Sequence, residues 1–172
     1  MGSRGITVLG VVAMITATTA VTACQGVAAG EPVATPQVPQ IRLVTNVLPT
    51  TPAQCGSGIP AAEEPARMCN TAGDLLYEVD RSVTHSPVKR ASAGVPQNQT
   101  QWVVTFDLTD ADADAFAELT ARNVGKQIAI AVGGRVITAP SVNGPISAGM
   151  VQVTGGFDEK SAKDLAHRLQ PS

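Results

Sequence analysis

The chain has 172 residues, 44% of them hydrophobic, and a formal net charge of -2; this length and apolar content supply one ordinary core and exclude two. Only 3% of the residues are aromatic, with Trp102 and Tyr77 as single copies. Neither a base-stacking platform nor a basic nucleic-acid-binding face is expected.

Residues 1–30 carry one charged side chain, Arg4, followed by an apolar stretch over 6–21, the positive-then-apolar order of a secretory signal. The stretch ends in Val21-Thr22-Ala23-Cys24. Small residues before a cysteine in this position resemble the bacterial lipobox, in which the thiol receives lipid before cleavage. The expectation is a signal peptide over 1–23 and a membrane tether through lipid on Cys24, at the extracytoplasmic face. Two other readings compete: an uncleaved membrane anchor, since residues 5–30 are uncharged, and an ordinary signal with a buried Cys24. Richness in Thr, Gly and Ala makes the stretch a poor permanent helix.

Residues 24–40 contain Pro32, Pro36 and Pro39 and no apolar period, which predicts a linker with a reach of roughly 20–25 Å. The folded domain is expected over 41–170. Lipidation of Cys24 leaves Cys55 and Cys69 as an even pair in an oxidising compartment. They are predicted to be bonded, closing a loop with a stabilisation of about 3 kcal/mol. Only His85 and His167 are available as imidazole ligands, and neither has ligand spacing to a cysteine. No metal and no cofactor are expected.

Short strands are predicted at 41–47, 75–79 and 88–93. In residues 102–108, Trp102, Val104, Phe106 and Leu108 alternate with polar or smaller neighbours, a strand with one apolar face. Asp110 offers an N-cap to a helix carrying Ala113, Phe116, Ala117, Thr120 and Val124 at helical spacing, with Gly125 as its stop. Two strands, 127–132 and 135–138, flank Gly133-Gly134 and predict a hairpin. A loop over 139–149 and a strand over 150–154 follow. Phe157 and Asp158 then open a helix with Ala162, Leu165, Ala166 and Leu169 on one face. The predicted class is α+β: a mixed, largely antiparallel sheet, two main helices on one face, a right-handed parallel βαβ unit and the Gly-Gly hairpin.

Chemistry-bearing clusters are sparse. His85-Ser86 with Asp80 nearby is the one local group suggestive of a hydrolase, but adjacent strand residues point to opposite faces. Asp110, Asp112 and Asp114 lack the glycine and closing glutamate of a calcium loop. Gly155-Gly156 has no phosphate-binding lysine after it. No catalytic residue is assigned.

Trp102-Val103-Val104, Phe116-Ala117-Glu118-Leu119-Thr120, Gln127-Ile128-Ala129-Ile130, Arg135-Val136-Ile137-Thr138-Ala139-Pro140, Ile146 with Gly149, Thr154-Gly155-Gly156-Phe157 and Ala162 with Leu165-Ala166 occur in order. Together they resemble the head subdomain of the first periplasmic region of SecD and SecDF. Ile41-Arg42-Leu43-Val44 and Leu76-Tyr77-Glu78-Val79 are similar to two earlier strands of that domain. The resemblance implies a non-catalytic domain that engages chains emerging at the outer side of the Sec translocon. This chain shows no counterpart of the family's membrane helices, so no coupling to a proton gradient is expected. Gly133 stands where the family's hairpin turn usually has aspartate, and Gln170-Pro171-Ser172 replaces the family's continuation after the last helix.

The expected peptide contact is an exposed sheet edge or the loop after Pro140, with Pro140, Ser141, Ile146 and Met150 as candidate residues; the competing reading is that this loop merely connects two strands. Two function classes follow. One is a module that binds or assists exported, unfolded polypeptides near the Sec translocon. The other is an envelope lipoprotein that reuses the fold to bind an unrelated ligand or protein partner.

Overall fold

The computed structural model describes residues 36–171; the signal segment, Cys24 and the first part of the linker lie outside them. Eight strands and two α-helices follow in order, with a short 3-10 turn at Pro52–Gln54 between the first two strands. They are β1 (Gln40–Pro49), β2 (Ala66–Cys69), β3 (Leu75–Ser82), β4 (Arg90–Gly94), β5 (Trp102–Asp107), α1 (Asp110–Arg122), β6 (Ile128–Val132), β7 (Arg135–Thr138), β8 (Met150–Phe157) and α2 (Glu159–Leu169). The α+β class, the antiparallel pairing and the two helices match the pattern read from the sequence.

Two details of that pattern are corrected. The strands form two sheets, β2-β3-β1-β6-β7 and β4-β5-β8, rather than one. β5 and β6 flank α1 but lie in different sheets, so the parallel βαβ unit is not formed and every ladder is antiparallel. Both edges of β6 are occupied, by β1 on one side and by β7 through the hairpin on the other. A strand pattern records which face is apolar, not which neighbour fills each edge.

β6 shows how the layers meet. Its sequence alternates Ile128, Ile130 and Val132 with Ala129 and Ala131, and all five residues are buried. The large residues join the main core with Ile41, Val104, Phe106, Phe116, Val153, Leu165 and Leu169. That core takes side chains from both sheets and both helices. α2 packs across β4, β5 and β8, whereas α1 sends Phe116 inward and is braced on its flanks. The two alanines face a second cluster with Met68, Val79 and Val136. The sheet curls around this cluster, since its edge strands β2 and β7 meet at a parallel bridge between Asn70 and Val136.

A strap over residues 55–66 covers the second cluster. Cys55 and Cys69 are joined by a disulfide. The β6–β7 turn has Gly133 at φ 60° and Gly134 at φ 78°, the left-handed pair that a two-residue hairpin needs. Gly134 is also sterically required, because a Cβ there would stand 2.4 Å from the Gly58 carbonyl oxygen. Arg42, fully buried, donates through Nη1 to the carbonyls of Glu64 (2.7 Å) and Asp80 (2.9 Å), through Nη2 to Ala61 and through Nε to Gln40 Oε1. Gln40 Nε2 donates to Pro60 O at 2.8 Å, and the Ser82 amide to Ala62 O at 2.7 Å. Burial lowers the Arg42 pKa from its usual value, while the charges of Glu63 and Asp80 act in the opposite direction.

Several boundaries shift for local reasons. The domain begins before the expected position 41: β1 starts at Gln40, the Gln37 amide donates to Arg168 O (2.8 Å), and Thr84 Oγ1 donates to Pro39 O. The end of the expected linker is therefore part of the fold. Thr109, not Asp110, caps α1, its hydroxyl accepting from the Asp112 amide. The helix ends at Arg122, ahead of Gly125, which leaves Val124 54% exposed rather than on the buried face. Phe157 ends β8 opposite Trp102 instead of entering the last helix, which Asp158 caps. β2 was not expected, being four residues long with no alternation of its own.

No helix among the described residues is long and apolar enough to cross a membrane. Replacing Arg42 with Leu strips the strap carbonyls of their donors. We expect a loss of about 3 kcal/mol in urea unfolding. Reducing the disulfide should cost about as much through restored loop entropy. Because both act on one strap, the combined loss in a double-mutant cycle should fall short of the sum.

Candidate functional site

The loop between β7 and β8 is built onto α1 and β6 rather than hanging free. Its first part continues the β6 ladder: the Ile128 amide donates to Pro140 O (3.0 Å), the Val142 amide to Lys126 O (2.8 Å) and the Gly125 amide to Val142 O (2.8 Å). Val142 is buried in the main core and pins this stretch. Further on, the Ile146 amide donates to Thr120 Oγ1 at 3.0 Å, near the C-terminal end of α1. Gly149 then passes Ala113, near the other end, so closely that a Cβ would come within 2.9 Å. The loop thus runs antiparallel along one flank of α1.

The candidate residues consequently divide. Pro140 and Ser141 are exposed but committed to pairing with β6, Ser141 through a bridge to Gln127. Ile146 and Met150 lie beyond the buried Val142 and present apolar side chains, 37% and 55% exposed. Met150 opens β8, whose next exposed residues are Gln152 and Thr154. A short apolar lip, Ile146 and Met150, therefore stands where the loop enters a strand at the edge of the three-stranded sheet.

On the opposite flank of α1, a cleft of about 520 Å³ is bordered by Glu63, Arg81, Val83, His85, Asp112 and Ala115. Its acidic group is structurally engaged. The Asp112 carboxylate, buried, accepts the backbone amides of His85 and Ser86, one on each oxygen at 3.1 Å. Asp80 accepts the amide of Arg81 (2.8 Å), and His85 Nδ1 stands 3.9 Å from Glu63. The His85, Ser86 and Asp80 side chains do not form a relay. Asp110 pairs with Lys89, while Asp114 points to solvent, so the three aspartates serve separate ends.

Sequence reading missed the role of Asp112 as a strut; the one available signal, an aspartate in the first helical turn, is equally the mark of a dipole partner. Gly155 packs tightly, since a Cβ there would lie 3.1 Å from the Phe157 ring and 3.5 Å from Ile137 O, beside an irregularity in the β5–β8 register. Asn98, at φ 68°, turns the chain between β4 and β5. At the start of α2, hydrogen bonds from the Ser161 hydroxyl and amide hold the Asp158 carboxyl below its usual pKa.

Comparison with known proteins places this geometry. Residues 63–171 match the family model for the SecDF P1 head subdomain. The protein translocase subunit SecD of Acidaminococcus fermentans is 46% identical over 116 residues, covering 66% of this chain and 28% of that protein. The SecD subunit of Acetobacter pasteurianus is 39% identical over 88 residues, covering 51% and 17%. A structure of SecDF in its super-membrane-facing form shares the fold with a TM-score of 0.57 at 24% identity, over 79% of this chain and 19% of that one. A second structure, of a membrane component SecDF that enhances protein export, gives the same TM-score and identity over 63% of its length. The chain spans less than a third of these SecD relatives. With its fold and most of its length accounted for by that subdomain, the chain belongs to the SecDF P1 head family.

Proposed function

We propose that this chain is a non-catalytic lipoprotein of the extracytoplasmic membrane surface whose head domain binds or assists exported polypeptides near the Sec translocon. The observation that carries the reading is the lip formed by Ile146 and Met150. Two apolar side chains are held in place by α1 and β8, yet remain available to solvent. A client that is still unfolded exposes apolar side chains and unpaired backbone, and such a lip offers contact to the first. Membership in a family of translocase subunits supplies the setting.

The non-catalytic reading is supported by the commitments of the polar groups. Asp112 receives a backbone amide on each carboxylate oxygen, and Asp80 accepts the amide of its neighbour. Retention at the membrane is assigned to lipid on Cys24, on the strength of the lipobox-like Val21-Thr22-Ala23-Cys24. A single acyl chain binds a bilayer only marginally, and the diacylglyceryl group that a lipobox cysteine receives supplies two.

Photo-crosslinkers at Ile146 and Met150 should capture a translocating chain in cells. One at Ile59, 62% exposed on the strap, should not. Capture at none of these positions, with no translocon subunit co-purifying under mild solubilisation, would favour an envelope lipoprotein serving an unrelated partner. Exchange of Cys24 for Ala should move the protein from the membrane fraction to the soluble one; persistence at the membrane would sink the lipid anchor while leaving the binding reading intact.

A further inference from the structure

Sheet edges expose unpaired backbone groups, and most of the edges in this fold are guarded. β2 and β7, the outer strands of the five-stranded sheet, meet each other at Asn70 and Val136. The part of β1 that runs past β6 is blunted residue by residue. The Thr50 amide bonds to Asp74 O, which sets the register so that positions 47 and 49 face away from β3. Asn46 Oδ1 takes the Val47 amide at 3.0 Å, and position 49 is Pro49, which has no N–H. On β4, Gln170 Oε1 holds the Ala91 amide at 3.3 Å, and α2 packs against the strand.

β8 has no such guard. The Leu108 amide bonds to Gly149 O at 2.9 Å, so Val151 and Val153 direct their backbone groups to β5 while Met150, Gln152 and Thr154 direct theirs outward. Among the described residues, nothing pairs with these outward groups. The strand contains neither Pro nor Lys, and the Met150, Gln152 and Thr154 side chains are exposed. β8 approaches β7 at Gly155, beyond this stretch.

We propose that the outer edge of β8 accepts an extended polypeptide segment as an added strand, hydrogen-bonded to the backbone of Met150, Gln152 and Thr154. This rests on the polypeptide-binding reading above and assigns its mode of recognition. Donors and acceptors alternating at two-residue spacing are complementary to a backbone and to no particular side chain. Such an edge suits clients that share no sequence, with the Ile146–Met150 lip adding apolar contact at one end. A second copy of this chain is the weaker occupant, because three outward positions are too short to supply the roughly 800 Å² per partner of a stable dimer.

The test uses the full chain and a fluorescent peptide of alternating Val and Thr, alongside the same peptide N-methylated on its central residues to block both of its edges. Strand addition requires the methylated peptide to bind on the order of tenfold more weakly. Gln152→Pro removes one outward N–H without touching the β5 ladder and should weaken the plain peptide by a similar factor. Gln152→Ala keeps that N–H and should bind normally, and circular dichroism of both variants verifies the fold. Equal binding of the two peptides by the unaltered protein overturns the edge proposal without reliance on any variant. If Ile146 crosslinks persist in that case, polypeptide binding stands and only its mode is wrong. Loss of both crosslinks and peptide binding overturns the two together. A protein dimer that Gln152→Pro dissociates would give the edge to a second copy and likewise overturn the proposal.

Discussion

The guanidinium of Arg42 is buried beneath a strap that has almost no regular structure of its own, and each needs the other. A buried cation requires acceptors for its donors, and a strap packed on a sheet requires donors for its carbonyls. Ala61 and Glu64 meet both needs through one side chain, with Asp80 of β3 as a further acceptor and Gln40 aligning Nε and fastening Pro60. This clasp keeps the strap on the curled sheet. Water is thereby excluded from Met68, Val79, Ala129, Ala131 and Val136. The small alanines of β6 make sense only in this context, since an exposed sheet face would have no need of them.

The same clasp marks the limit of what could be read in the sequence. Strand and helix positions were legible from period-two and helical spacing, and the Gly133-Gly134 hairpin from its turn residues. The destination of each strand was not. Arg42 follows Ile41 in a strand, so alternation places it on the face opposite the main core, the usual place for a solvated cation. That this face is covered depends on residues 55–66, which have no periodicity to announce a layer. The split into two sheets was hidden for a related reason. β5 and β6 both read as strands joined by a helix, and only the insertion of β1 beside β6 decides against a parallel pair.

The candidate site was legible in part. Ile146 and Met150 were found as apolar residues in a loop rich in Gly, Pro and Asn, and they do face solvent. Pro140 and Ser141 were grouped with them by proximity in sequence. The β6 ladder separates the two pairs, because backbone amides on Ile128 and Val142 continue the strand past β7. Which strand edge is open could not be read at all. It follows from register, and register here is set by a few long-range bonds such as Leu108 to Gly149.

In the lipid-anchored reading, the way the domain is joined to its tether matters mechanically. The described chain enters at residue 36, and within a few residues it is bonded to α2 through Gln37 and to Thr84 through Pro39. It then becomes β1, which is an interior strand of the five-stranded sheet, flanked by β3 and β6. A pull along the tether would act on a strand held by two ladders and by Arg42. The three-stranded sheet carrying β8 is connected to β1 through side-chain packing in the main core, with no ladder between the sheets. Load entering along β1 would therefore fall mainly on hydrogen bonds in the five-stranded sheet, with the Gln37 bond to Arg168 as a further link through α2, while β8 would be reached through packing alone. On the proposed reading, anchoring would act first on the five-stranded sheet and strand addition on the edge of the other.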